Sequence, residues 1–187
     1  MAYPVPDKLV LPVAPYEVTG YSFKQRVWRR LFLWATHLGD DIEAAAGTKV
    51  VAVGAGEVVW AEMRAGSVQQ PNWGGVVVIG HMHRVSGEPF FSVYGHLCDV
   101  AVRVGDHVEG GYELGLVAEG LTPENGWWQR AHLHFAIYVG PWTGEILPGY
   151  KRLEEWRTRV GWWREPKQFI EEYNRVAEAP RVEDTGE

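Results

Sequence analysis

Seven histidines carry most of the chemistry open to this chain of 187 residues. A lone histidine is usually a surface or satisfied core residue, so each one needs a reason. His37 opens the run His-Leu-Gly-Asp-Asp. A histidine and an aspartate four residues apart, with a glycine between them, can bend so that both side chains reach one point. Imidazole nitrogen and carboxylate oxygen are both good zinc ligands. On spacing alone, either Asp40 or Asp41 could serve. His132 and His134 form His-Leu-His-Phe at the start of an apolar run. On a strand, residues i and i+2 share a face, so the two imidazoles would project together. His81 and His83 form a competing pair, but Arg84 and Ser86 follow them, and surface turn histidines are the plainer expectation. His81 could still support a site from behind its ligands. His107 lies in a glycine turn and should face solvent. His96 ends Tyr-Gly-His-Leu, where it is either packed or aimed into a groove. The single cysteine, Cys98, excludes an intrachain disulfide and an all-cysteine metal site.

Rigid elements must hold these side chains. Residues 1–20 are rich in proline and valine and read as an extended arm laid on the surface. Residues 21–36 mix aromatic and basic residues and fit either strand or short helix. From Val50 onward the pattern is β. VVAVGAGEVVWAE turns at its glycines, and residues 75–81 and 89–96 are apolar runs joined by turn chemistry, which predicts a hairpin. Glycines at 105, 111, 115 and 120 predict tight turns between short strands. Residues 133–139 form a further strand. Residues 62–73 read as a long loop ending in Trp73. Two helical signals come late: residues 151–160, with Leu153, Trp156 and Val160 at helical spacing, and a last helix. Pro166 suits N1 of that helix, which would run to about Arg175 with Phe169, Ile170 and Tyr173 on one face. Residues 179–187 should be disordered.

Four motifs occur in a fixed order. They are H-x-G-x-D at 37–41, G-x-x-V-x-I-x-H at 74–81, Y-x-H-L at 94–97 and H-L-H-F at 132–135. Together they resemble the LytM/lysostaphin-type family of zinc metalloendopeptidases. Residues 47–59 match a hairpin of that family, and Val102, Gly105, Val108 and Gly111 match its V-x-x-G-x-x-V-x-x-G ladder. The resemblance implies that His37, Asp41 and His134 bind zinc, and it selects Asp41 over Asp40. It implies that His96 and His132 are the catalytic histidines beside the metal. Three protein ligands leave one tetrahedral position for a water whose pKa zinc lowers to about 7. One imidazole would take its proton and another would stabilise the oxyanion, with the assignment left open.

The implied activity is hydrolysis of peptide bonds in peptidoglycan cross-links or stem peptides. The alternatives are a catalytically silent regulator or binding module of cell-wall enzymes, and a zinc endopeptidase acting on a protein outside the wall. The complete set of ligands and helper histidines speaks against the silent module. The fold expected is mainly β: a compact antiparallel sheet or barrel-like domain with a substrate groove, a short N-terminal arm and a small C-terminal helix. Its parts would be an arm at 1–30, the metallopeptidase domain at 31–148 and a C-terminal segment at 149–187.

Two departures from the family bear on substrate. Gly75 stands where the family often has asparagine, and the lead-in to H-L-H-F is long and carries Trp127 and Trp128. With Trp73, these are the candidate substrate-facing residues among ten tryptophans. Trp34, Trp60 and Trp156 read as packing residues, and Trp162 and Trp163 as anchors of the C-terminal segment.

A hydrophobic share of 46% against 22% charged residues gives an ordinary globular chain that can bury a core without a metal. A net charge of -6 and the lack of a dense Lys/Arg run exclude nucleic acid as the expected partner. No stretch is long enough to span a bilayer. The start, MAYPVPDKLVLPVAP, lacks the marks of a signal peptide. The family implies the cell envelope or the extracellular space, and the missing signal peptide also allows a cytoplasmic protein released in the phage manner.

Overall fold

The computed structural model describes residues 2–178, so the disorder expected at 179–187 lies outside the described residues. The chain runs through β1 (Arg26–Arg29), β2 (Phe32–His37), β3 (Asp40–Glu43), β4 (Lys49–Val51), β5 (Gly56–Gly66) and β6 (Pro71–Met82). It continues through β7 (Pro89–Cys98), β8 (His107–Val108), β9 (Glu113–Val117), β10 (His132–Tyr138), β11 (Tyr150–Arg152), β12 (Trp163–Arg164) and the helix α1 (Pro166–Glu178). The main sheet is antiparallel and curled, with β12-β10-β7-β6-β5-β8 as its spine, and a small sheet β1-β2-β11 stands beside it. The mainly β expectation, with its small C-terminal helix, holds.

Alternation explains why the spine is buried on both faces. Val77, Ile79, Phe90, Tyr94, Leu133, Phe135 and Ile137 point to one core. Val76, Val78, Phe91, Val93, Ala136 and Tyr138 point to the other. The first core is closed by α1, through Ile170 and Tyr173, and by Leu9 and Val13 of the arm. The second is closed by Leu147 and Trp163 from the segment after β10. Strands covered on both faces read as continuous apolar runs, which is why β6, β7 and β10 were visible in the sequence.

The arm is more than a surface wrapper. Pro6, Leu9, Pro12 and Val13 are buried. The Val10 N–H donates to the Val53 carbonyl and the Val51 N–H to that of Pro12. Asn174 of α1 accepts the Leu9 N–H at 2.7 Å and donates to the Leu9 carbonyl at 2.8 Å. Leu9→Ala is therefore expected to cost about 2–5 kcal/mol in urea unfolding. A loss below about 1 kcal/mol would mean that the arm contributes little to the core.

Several local expectations are corrected. Residues 21–36, left open, contain the β1–β2 hairpin. β4 and β5 do not pair with each other as a hairpin at 47–59: β4 pairs with β9, and β5 with β6 and β8. The bend after Val51 hands the chain from one partner to another. Residues 62–73 are not a loop. They are the ends of β5 and β6 around a tight turn, where Ser67 and Gln70 exchange backbone hydrogen bonds. No helix forms at 151–160. β11 is followed by turns, and Trp156, expected to pack, is 82% exposed. The last helix forms as expected, with Pro166 at its start.

His81 belongs to the sheet. Its Nδ1–H donates to the Ala55 carbonyl at 2.7 Å, and its Nε2 accepts the Ser92 hydroxyl at 2.8 Å. Burial pushes its pKa down to about 4, against the opposing effect of the Ala55 bond. The unfolded chain takes up this proton below about pH 6.5. The contribution of neutral His81 is therefore complete above that pH and fades as pH falls toward 4, by roughly 3 kcal/mol. Tm measured from pH 7 to 4 should fall more steeply in the wild type than in His81→Gln. Parallel profiles would assign the acid sensitivity elsewhere.

Candidate metal centre and cleft

Strand register brings the first two donors together. β3 pairs antiparallel with β10, and Asp41 stands opposite His134. His37 arrives from the end of β2 through a turn whose Leu38 is fully buried. Gly39 is required in that turn, because a Cβ there would lie 2.5 Å from the Phe135 carbonyl oxygen and 2.8 Å from His134 Nε2. His37 Nε2 then lies 3.1 Å from His134 Nδ1 and 3.2 Å from Asp41 Oδ1. Asp41 Oδ1 lies 3.0 Å from His134 Nδ1. Ligand atoms about 2.0–2.1 Å from a tetrahedral zinc stand about 3.3 Å apart, so this nearly equilateral triangle is the right size to hold the ion.

The protonation states suit a cation as well. His37 Nδ1 lies 3.3 Å from the Ser22 carbonyl, which sets the ring with Nε2 toward Asp41 and His134. Burial pushes the pKa of His134 down to about 4, against the Asp41 hydrogen bond that raises it, so its ring is neutral near pH 7. Burial pushes Asp41 up, but the hydrogen bonds and charges of His134 and His37 outweigh it and hold the carboxyl well below the usual range. A buried carboxylate that faces a neutral imidazole and a second ring nitrogen has the donor chemistry of a divalent metal site. Asp40 turns the other way. Its carboxylate accepts the Tyr16 hydroxyl and the Phe23 N–H, each at 2.9 Å.

His96 reaches the same place by breaking the strand pattern. Along β7, Phe90, Ser92 and Tyr94 alternate with Phe91, Val93 and Gly95, and continued alternation would send His96 away from His134. The register opens here instead: Val76 faces Gly95 and Gly75 faces Leu97, with His96 as the extra residue. Its φ of 67° gives a β-bulge that re-aims the ring. Gly75 must be glycine opposite this bulge, since a Cβ would lie 2.1 Å from the Leu97 carbonyl oxygen. The His96 ring sits 4.4 Å from that of His132. Burial, then the neighbouring His132 and His134, hold its pKa well below the ordinary histidine value. The His132 Nδ1–H donates to the Arg130 carbonyl at 2.9 Å, so the lone pair is on Nε2, 3.9 Å from Asp41 Oδ1.

Asp41 with His132, and His134 with His96, line the two lobes of a cleft, while His37 lies fully buried behind them. The larger, about 420 Å³, mixes polar and apolar surface, with Gln25, Glu43, Gln129 and Arg130 around Asp41 and His132, beside Tyr21 and Ala131. The smaller, about 100 Å³, is aromatic, with Trp73 beside His96 and His134. Trp128 and Tyr150 border both lobes, their ring centroids 6.1 Å apart. The Trp128 Nε1–H is tied to the Asn72 carbonyl at 2.9 Å. Trp73 is 8% exposed, donates to the Leu147 carbonyl and lies edge-on to His134 at 4.9 Å. Trp127 lines neither lobe; its N–H closes a turn on Thr122. Sequence reasoning missed Tyr21 and Tyr150, which pack on His37 at 5.7 and 4.9 Å. Each follows a glycine in a loop-like stretch, and no periodic pattern marks either.

A curled antiparallel sheet with a His/Asp/His cluster beneath an open cleft is built like a metallopeptidase. The model of peptidase family M23 matches residues 35–145, and the chain belongs to that family. Its fold is the lysostaphin-type fold. The catalytic domain of the antimicrobial peptidase lysostaphin from Staphylococcus simulans is 21% identical, with a TM-score of 0.53 over 83% of this chain and 92% of that one. LytU is 22% identical, with a TM-score of 0.56 over 84% and 88% of the two chains. A zinc-containing peptidase from Vibrio cholerae is 22% identical, with a TM-score of 0.52 over 73% of this chain and 36% of that one. At this identity the likeness is one of fold. No curated protein sequence matches.

Proposed function

We propose that this chain is a zinc-dependent endopeptidase that hydrolyses peptide bonds in peptidoglycan cross-links or stem peptides. The observation that carries this reading is the buried triangle of His37 Nε2, Asp41 Oδ1 and His134 Nδ1, with edges of 3.0 to 3.2 Å, beneath an open cleft. Membership of a peptidase family supports the class of reaction. Likeness in fold to an antimicrobial peptidase directs the choice of substrate toward the bacterial wall.

His37, Asp41 and His134 would hold the zinc. When bound, zinc supplies polarisation of the scissile carbonyl and a water acidified to a pKa of about 7. His132 Nε2 takes the proton of the attacking water and passes it to the departing amine. The Arg130 carbonyl holds the other ring proton and so fixes which nitrogen works. His96, kept neutral by burial, donates a hydrogen bond to the oxyanion without bringing a second charge into the site. Trp73, Trp128 and Tyr150 wall the substrate strand, and Glu43 and Arg130 of the larger lobe meet its charged groups.

The test is digestion of purified peptidoglycan and defined muropeptides by zinc-loaded protein, with mass spectrometry of the products. New amine and carboxyl ends, formed by gain of one water, are expected. Zinc binding and sacculus binding without such ends would make the chain a silent module. Cleavage of free proteins but not of muropeptides would overturn the substrate.

A further inference from the structure

At the far end of β2 from His37, the small sheet presents a surface that the cleft does not use. The β1–β2 hairpin pairs Arg29 with Phe32 and Trp28 with Leu33. Leu31 is 88% exposed, Phe32 77% and Trp28 57%. β11 runs antiparallel to β2, with Arg152 opposite Ala35, so the chain after Arg152 heads toward the hairpin tip. That stretch also carries Glu154 and Glu155, and by Arg157 it has turned back toward Glu145, so the exposed Leu153 and Trp156 do not belong with the tip. Exposed apolar residues scattered singly need no explanation, but several at one end of a sheet do. The hairpin is also basic. Residues 18–39 contain Lys24, Arg26, Arg29 and Arg30 and no acid, in a chain of net charge -6. The Arg29 guanidinium lies 3.7 Å over the Trp34 ring, which holds the hairpin in shape.

We infer that this hairpin tip docks onto an anionic lipid bilayer. The chemistry fits both layers of such a surface. Trp, Phe and Leu side chains enter the headgroup and acyl boundary, while arginines stay level with the phosphates. A soluble polyanion would pair with the arginines and leave Leu31 and Phe32 in water. A second copy of the chain would bring two clusters of like charge face to face. From Phe32 to His37, β2 spans about 17 Å. Docking through the tip therefore holds the cleft floor about that far above the lipid.

The test is co-sedimentation of the full chain with vesicles of phosphatidylcholine, alone or mixed with phosphatidylglycerol. Binding to the mixed vesicles is expected to be about tenfold stronger or more, and to weaken with salt. Leu31→Ser combined with Phe32→Ser should lose about tenfold on the same vesicles. Arg30→Glu, at the tip itself, should reduce the preference for the anionic lipid. These side chains are exposed, so unchanged circular dichroism and Tm will show that the variants fold. Equal binding to both vesicle types, or wild-type binding by either variant, overturns the proposal. So does a dimer in sedimentation that the Leu31/Phe32 variant abolishes, or polyphosphate binding that matches the vesicles and ignores that variant.

Discussion

Asp41→Ala is expected to remove zinc and peptide hydrolysis together. Asp41 Oδ1 is the one anionic corner of the donor triangle, 3.2 Å from His37 Nε2 and 3.0 Å from His134 Nδ1. Without it, two imidazole rings face each other across a buried space, and a divalent cation there would be charge-uncompensated. Activity on muropeptides should fall by on the order of a thousandfold or more, about 4 kcal/mol of transition-state stabilisation. Metal analysis after gel filtration should find zinc in the wild type and little in the variant. The neighbouring Asp40→Ala is the control that spacing could not have chosen. It removes the acceptor of Tyr16 and Phe23, so it should lower Tm yet leave zinc content intact. Zinc retained by Asp41→Ala, or lost by a folded Asp40→Ala, would sink the ligand assignment.

His132→Ala separates proton transfer from metal binding. Its Nε2 stands 3.9 Å from Asp41 Oδ1, outside the triangle but close enough to reach a reacting water above it. Zinc content should stay at the wild-type level while kcat falls by about 10²–10⁴, the usual worth of a positioned general base. KM should change little, because the ring is assigned to proton transfer and not to holding the substrate. A variant that loses zinc in proportion to activity would turn His132 into a ligand. One with wild-type kcat would leave His96 as the base.

The two predictions draw on different amounts of sequence information. The triangle was legible because its residues belong to ordered short motifs, and i, i+2 geometry on one strand explains how His132 and His134 come to share a face. The position of His96 was not legible: simple alternation along β7 sends it away from His134, and only a left-handed residue on a bulge brings it back. Central strands were visible because both faces are buried. The outer ends of β5 and β6 were not, since a hairpin that runs past the core carries polar residues such as Glu62, Arg64 and Gln70 and loses its period. The helix expected at 151–160 failed for a related reason. Leu153 and Trp156 have helical spacing but lie on the surface, so their spacing reports no buried face. The partners of β4 and β5 were hidden because a turn between neighbouring segments does not oblige them to pair.

The opposition of Asp41 and His134 across β3 and β10 has a consequence for synthesis. The two residues are 93 positions apart in the chain. A nascent chain that has emerged only as far as β9 owns two of the three donors and cannot close the triangle, however much metal surrounds it. Closure also checks the zipper. A slip of one residue would set Leu133 opposite Asp41 and turn His134 toward the core of Phe135 and Ile137. On the proposed function, metal loading would report that the last long strand has been made and has paired in register, tying the onset of hydrolysis to that pairing.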